Sequence, residues 1–170
     1  MKPLKIFVVD DDPIQLEMIT DHLGKFKNFI FQTFATGEKL LEKIAEKPDI
    51  IILDYNLDSV DKDAMEGIDV LQEIKKIDDT IEVIMYSGQD NIEIAVETMR
   101  FGAFDYVTKT PSAFHRMENI IHRILKFRQL SSDAKRYKLM VQMAGYAIVI
   151  AIALTIILKL MGIEVLGWIN

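Results

Sequence analysis

An apolar run that stops at a carboxylate constrains this chain more than any other stretch. Ile50-Ile51-Ile52-Leu53 follows Pro48-Asp49 and gives way at once to Asp54 and Tyr55. Four large aliphatic residues in succession, three of them β-branched, suit a strand buried on both faces, the position of a central strand in a parallel sheet. An Asp at the carboxyl end of such a strand lies where open parallel sheets bind ligands. Chemistry therefore accounts for Asp54 better than packing does.

The rest of the first 130 residues repeats a strand-then-helix pattern. Lys5-Ile6-Phe7-Val8-Val9 reads as a strand that ends in Asp10, Asp11 and Asp12. Asp12 suits a helix N-cap and Pro13 the first turn, after which Ile14, Met18, Ile19 and Leu23 recur at helical spacing up to Gly24. Residues 29–34 read as a second strand, and Glu38 to Glu46 as a second helix with Leu40, Leu41 and Ile44 inward. An acidic loop, 58–66, precedes a helix carrying Ile68, Leu71 and Ile74. A fourth strand over Ile81–Tyr86 ends at Ser87-Gly88, and Ile92, Ala95, Val96 and Met99 mark a helix closed by Gly102. A fifth strand around Phe104–Val107 ends at Lys109, and Pro111 opens a helix with Met117, Ile120, Ile121, Ile124 and Leu125. This alternation predicts an α/β fold, a doubly wound five-stranded parallel sheet with helices on both faces.

Charge separates two regions. Residues 1–130 carry a net charge of −8 and residues 131–170 a net of +2, which together give the −6 of the whole chain. An acidic domain lacks the cationic surface that nucleic-acid phosphates require, so no nucleic-acid partner is expected. With no Cys, disulfides, thiolate metal sites and Cys nucleophiles are excluded. The N-terminal sequence leads straight into a strand, and no secretory signal is expected.

Leu139 to Leu158 is a run of 20 residues without a charge. At 1.5 Å per residue it matches the roughly 30 Å hydrocarbon core of a bilayer. Lys135, Arg136 and Lys138 precede it, Lys159 follows, and Trp168 would lie near the far interface. The expected organisation is a domain over 1–130, a basic juxtamembrane linker over 131–138, a transmembrane helix over 139–161 and a short far-side tail over 162–170. The basic residues favour keeping the first domain on the cytoplasmic face of the cytoplasmic membrane. Ala144, Ala147, Ala151 and Thr155 share one face of that helix, which leaves a homodimer open.

The four strand ends carry Asp10 and Asp11, Asp54, Ser87, and Lys109. Clustered carboxylates repel one another unless a hard cation such as Mg²⁺ sits among them, and a Lys and a Ser hydroxyl can hold phosphoryl oxygens. Taken singly, each residue has a plainer reading: helix capping for the acids, a turn for Ser87, core packing for Tyr106. His22, His115 and His122 lack metal-ligand spacing and read as solvated helix positions.

In order and spacing, Val8-Val9-Asp10-Asp11, Leu53-Asp54, Ser87-Gly88 and Tyr106-Val107-Thr108-Lys109 resemble the receiver domain of two-component response regulators, over about residues 4–128. The resemblance implies that Asp54 is the phosphoacceptor, supplied by a sensor histidine kinase or a phosphotransfer protein. It implies that Asp11, Asp54 and the carbonyl of Asn56 ligate Mg²⁺ directly, with Asp10 acting through a metal-bound water. Ser87 and Lys109 would hold the phosphoryl oxygens, and Tyr106 would swing inward when Ser87 engages them. Asn56 and Gln89 would tune the phosphoryl lifetime. On this reading the protein is a phosphorylated switch and not an enzyme.

Two departures stand out. Asp58 occupies a position where the family usually has Pro, and the nearest Gly after the phosphoacceptor is Gly67, so the loop is longer by five residues than usual. The family's Lys-Pro pair is here Lys109-Thr110-Pro111, which removes the expectation of a cis bond directly after the lysine. Two alternatives remain: a haloacid-dehalogenase-like phosphohydrolase with Asp10 as nucleophile, which leaves Asp54 unexplained, and an unphosphorylated receiver-like docking module.

Overall fold

The computed structural model describes residues 3–26, 28–57 and 64–160, apart from the side chains of Ser132 and Lys135. Residues 58–63 of the expected acidic loop, residue 161 of the expected span, the tail over 162–170 and Trp168 lie outside the described residues.

β-Branched and aromatic runs form β1 (Leu4–Val9), β2 (Phe29–Phe34), β3 (Ile50–Asp54), β4 (Glu82–Ser87) and β5 (Asp105–Thr108). Between and after them lie α1 (Pro13–Leu23), α2 (Gly37–Lys43), α3 (Gly67–Ile77), α4 (Ile92–Arg100) and α5 (Ala113–Leu160). Every strand pairing is parallel and the order is β2-β1-β3-β4-β5, the doubly wound sheet expected from the alternation. The direction of winding reverses between β1 and β3, so a crevice opens at their carboxyl ends. Val9 pairs with Leu53, which brings the following Asp10 and the strand-terminal Asp54 side by side.

β3 is buried at all five positions, as its aliphatic run predicts. Removing four such side chains from water contributes on the order of 2 kcal/mol each. Around it pack Phe7 and Val9 of β1, Val70, Leu71 and Ile74 of α3, and Val83 and Met85 of β4. Asp12 caps α1, its side chain accepting the amide of Ile14 at 2.9 Å with Pro13 in the first turn. The backbone then leaves β1 at a defined angle, which fixes where Asp10 and Asp11 stand.

The structure corrects several local expectations. The second helix is shorter than Glu38–Glu46: α2 ends at Lys43 and Ile44–Glu46 tightens into a 3-10 turn, with Lys47 at a φ of 53° leading the chain into β3. In α4 the apolar residues that reveal the helix divide between two faces: Ala95 packs with Ile94 against the core, and the other three do not. Ile92 is 81%, Val96 48% and Met99 47% exposed, while the one fully buried residue of that helix is Thr98, whose hydroxyl donates to the Ala95 carbonyl. Nor is His22 a solvated bystander. Its Nε2 lies 2.8 Å from Glu118 Oε1, and its ring stacks on Phe114.

The chain divides into two units, 1–122 and 123–170. Within the first, Ala113, Met117, Ile120 and Ile121 of α5 are buried. α5 continues without a break through 131–138, and from Leu139 to Ile157 every side chain is exposed. It is the one helix among the described residues long and apolar enough to cross a membrane.

Candidate functional site

The carboxyl ends of β1, β3 and β5 bring three charged groups into contact. Lys109, just after β5, donates from Nζ to Asp10 Oδ2 at 2.8 Å and to Asp54 Oδ2 at 2.9 Å. Asp10 and Asp54 are 1% and 4% exposed, so two carboxylates share one ammonium in a nearly dry crevice. The same Nζ lies 5.0 Å from the centre of the Tyr86 ring, a further cation contact. Backbone bonds hold the lysine: its amide donates to the Ser87 carbonyl at 2.6 Å, locking the end of β5 to the end of β4.

Electrostatics follow from that burial. Desolvation raises the Asp54 carboxyl, the Lys109 hydrogen bond opposes it, the charge of Asp10 adds to it, and the result stands at about 6. Asp10 is raised for the same first reason, against the pull of Lys109 and of the Asp12 amide, which donates to Asp10 Oδ1 at 3.0 Å. Burial works against the charge of Lys109, but the hydrogen bonds and charges of the two aspartates outweigh it and raise its pKa. One cation against two buried carboxylates leaves the site short of positive charge.

Asp10, Asp11 and Asp54 can each present an oxygen such that all three lie within 4.8 Å of one another, the only such metal-binding group among the described residues. An all-oxygen donor set of this size fits a hard divalent cation and not a soft one. The uncompensated burial of Asp10 and Asp54 is what such an ion would relieve.

The other expected residues surround this centre. Ser87, the last residue of β4, is fully buried, and its Oγ accepts the amide of Gln89 at 3.1 Å. Asn56 is exposed and its Oδ1 lies 3.4 Å from Gln89 Nε2, while its amide bonds to the Asp54 carboxylate. Tyr106 points inward from β5, 8% exposed, its hydroxyl donating to the Gln89 carbonyl at 2.8 Å. All peptide bonds among the described residues are trans, including the one after Lys109.

Two supports were not foreseen. Gly67 packs directly on the backbone of Asp54 and Tyr55, and its amide donates to the Tyr55 carbonyl at 2.9 Å. A Cβ there would meet the Asp54 carbonyl oxygen, so only glycine lets α3 start this close to the end of β3. The distance of Gly67 from Asp54 in sequence was visible, but its contact was not. Glu38, at the start of α2, accepts the Met65 amide at 2.7 Å and so pins the end of the lengthened loop; that bond holds its carboxyl below the ordinary range. A lone Glu in a helix's first turn gives no such signal.

The sequence matches the response regulator receiver domain family over residues 6–122. Among curated proteins it is 28% identical to chemotaxis protein CheY of Thermotoga maritima, over 72% of this chain and 98% of that protein. It is 30% identical to a protein-glutamate methylesterase/protein-glutamine glutaminase of Clostridium acetobutylicum, over 73% of this chain and 36% of that protein. The chain thus spans about a third of the length of the methylesterase relatives it matches. Among solved structures, the receiver domain of NtrX from Brucella abortus superposes with a TM-score of 0.64 at 30% identity, covering 71% of this chain and 98% of that domain. The BeF3-activated DrrB receiver domain does so with 0.64 at 28%, covering 73% and 98%.

These relatives correct the expectation that the chain is not an enzyme. Matched proteins from Clostridium acetobutylicum, Geobacillus kaustophilus and Bacillus subtilis are all named protein-glutamate methylesterase/protein-glutamine glutaminase. The physical reason is modularity: a receiver is a switch that folds on its own core and is joined to outputs of several kinds, catalytic ones included. The family match also displaces the phosphohydrolase alternative, because Asp54 and Lys109 now belong to one shared centre with Asp10. With its five-stranded sheet, its carboxylate crevice and a match covering residues 6–122, this chain belongs to the response regulator receiver domain family, the phosphorylatable switches of two-component signalling.

Proposed function

We propose that this chain is a membrane-held receiver that accepts a phosphoryl group on Asp54 from a histidine kinase or a phosphotransfer protein and passes the signal on through protein contacts. One observation carries the reading: Lys109 bridges Asp10 and Asp54 at 2.8 and 2.9 Å in the crevice at the carboxyl ends of the sheet. That arrangement supports the reading, since phosphoryl transfer to a carboxylate calls for a carboxylate nucleophile with a cation and a second carboxylate beside it.

Asp10, Asp11, Asp54 and the Asn56 carbonyl are the groups that would hold Mg²⁺. Bound there, the ion supplies positive charge to the phosphoryl oxygens. The chain's own residues do the rest. Asp54 offers a carboxylate oxygen to phosphorus, in line with the leaving group of the donor. Lys109 holds one phosphoryl oxygen by its ammonium, and Ser87 turns its hydroxyl from the Gln89 amide to another. Tyr106 then keeps its inward position, with Gln89 held by its hydroxyl, and the surface of α4 and β5 follows. Beside it an open groove of about 640 Å³ is lined by Ile92, Ala95, Val96, Met99 and Arg116, an apolar seat for a partner.

The membrane part of the reading is supported by the length and apolarity of the Leu139–Leu158 segment and by the exposure of every side chain from Leu139 to Ile157. Lys126, Arg128, Lys135, Arg136 and Lys138 before it favour a cytoplasmic receiver. Protease added outside intact spheroplasts should then leave the receiver uncut.

The decisive test is intact mass after incubation with Mg²⁺ and acetyl phosphate, beside Asp54→Asn. One phosphoryl adduct, abolished by EDTA and absent from the variant, is the expected result. No uptake by the wild type would favour the unphosphorylated docking module.

A further inference from the structure

The part of α5 between the receiver core and the apolar segment carries a second pattern. Residues 126–138 contain nine polar or charged residues and only four others, Phe127, Leu130, Ala134 and Tyr137. Those four are spaced three, four and three apart, the a and d positions of a heptad. Few placements of four residues in such a window do this. The stripe is also narrow. A helix lying on a core or a membrane surface shows an apolar face of 100° or more, whereas an a/d-only stripe is the seam of two helices. Phe127, Leu130 and Tyr137 are 63%, 60% and 68% exposed, so among the described residues none closes over the stripe.

The same spacing runs on without a break through Val141, Ala144, Ile148 and Ala151. Small residues at Ala144 and Ala151 let two helices approach within the apolar segment on the face that the polar segment already marks. Charge selects the partner. Asp133 is the only acidic residue between Glu118 and Glu164; it falls at position g, and Lys138 falls at position e five residues later. In a parallel pair of identical helices, g of one chain meets the following e of the other. Each dimer would therefore gain two Asp133–Lys138 pairs across the seam.

We infer that the extended α5 is a dimerisation helix, and that its occupant is a second copy of this chain packed in parallel along Phe127, Leu130, Ala134, Tyr137 and their continuation. The parallel sense rests on the membrane-held reading, since two anchored copies enter from the same side; the seam itself does not. A phosphorylated receiver would then act as one of a pair, with two output faces presented together.

The chain has no Cys, so single cysteines report directly. Full-length variants Leu130→Cys, Tyr137→Cys, Gln129→Cys and Arg136→Cys are oxidised in native membranes, and the fraction at twice the chain mass is measured. At least about five-fold more cross-linking at 130 and 137 than at 129 and 136 is expected, because only a and d positions face the twin helix. Asp133→Lys in the Leu130→Cys background should lower the yield, and adding Lys138→Asp should restore it. Equal yields at all four sites, a maximum at 129 or 136, or adducts of another mass would overturn the seam. The two readings fail separately. Periodic cross-linking in a chain that carbonate wash releases from the membrane sinks the anchor and keeps the seam, and an embedded chain without cross-links does the reverse.

Discussion

In metal-free protein, Asp54→Asn is expected to stabilise the receiver at neutral and alkaline pH and to change little in acid. Burial, opposed by the Lys109 hydrogen bond and reinforced by the charge of Asp10, moves the Asp54 carboxyl from 3.8 to about 6. The folded state therefore holds that proton more tightly than the unfolded chain. Stability from this group is full below about 3.8, falls as pH rises, and levels off above about 6. A difference of about two units at roughly 1.4 kcal/mol each gives about 3 kcal/mol lost at pH 8 and about 0.5 kcal/mol at pH 4. Asp10 shares the Lys109 ammonium with Asp54, and this coupling of the two carboxyls makes about 2 kcal/mol the working figure at pH 8. Asn keeps the shape and can still accept from Lys109, but it has no charge to desolvate. Urea unfolding of the full chain in detergent micelles with EDTA, followed by near-ultraviolet circular dichroism of the core tyrosines, measures the difference at both pH values. Adding Mg²⁺ at pH 8 should stabilise the wild type and close the gap, since Asn removes one carboxylate ligand. A variant less stable than wild type at pH 8, or an equal gain at pH 4 and pH 8, would refute the claim that a buried, under-compensated charge governs this crevice.

Further outcomes follow from the same geometry. Lys109→Met strips the cation from two buried carboxylates and should cost about 3 kcal/mol at pH 8 and less at pH 4, which lies below the raised Asp54 carboxyl; urea titration at both pH values checks it, and phosphoryl uptake from acetyl phosphate should be lost. Gly67→Ala would drive a Cβ onto the Asp54 carbonyl and to 2.8 Å from Tyr55 Cα, so backbone must shift. A loss of more than about 2 kcal/mol is expected by urea unfolding, with slower phosphorylation of whatever remains folded. Tyr106→Phe removes the hydroxyl bond to the Gln89 carbonyl but keeps the ring, and should lower stability by about 1 kcal/mol in thermal unfolding while leaving the phosphoryl adduct on Asp54 intact.

What the sequence revealed and what it concealed divide along a physical line. β3 was legible because an uninterrupted aliphatic run has one way to be satisfied in a parallel sheet, and its terminal Asp54 came with it. The convergence of Asp10, Asp54 and Lys109 was legible because topology brings strand ends together whatever the loops do. Contacts made by single residues on neighbouring elements were not, since neither Glu38 to Met65 nor His22 to Glu118 leaves a pattern in one dimension. The α4 helix was legible as a helix, but the direction of its faces was not. Periodicity finds an apolar face but not the direction it points, and here Ile92, Val96 and Met99 look outward while Thr98 goes in. Leaving such a face in water gives up stabilisation that burial would provide. It borders the groove that Tyr106 lines, and the Tyr106 hydroxyl is bonded to the same Gln89 whose amide reaches Ser87. The exposed apolar residues thus fall on the surface linked through Tyr106, Gln89 and Ser87 to Lys109 and the crevice that holds Asp54.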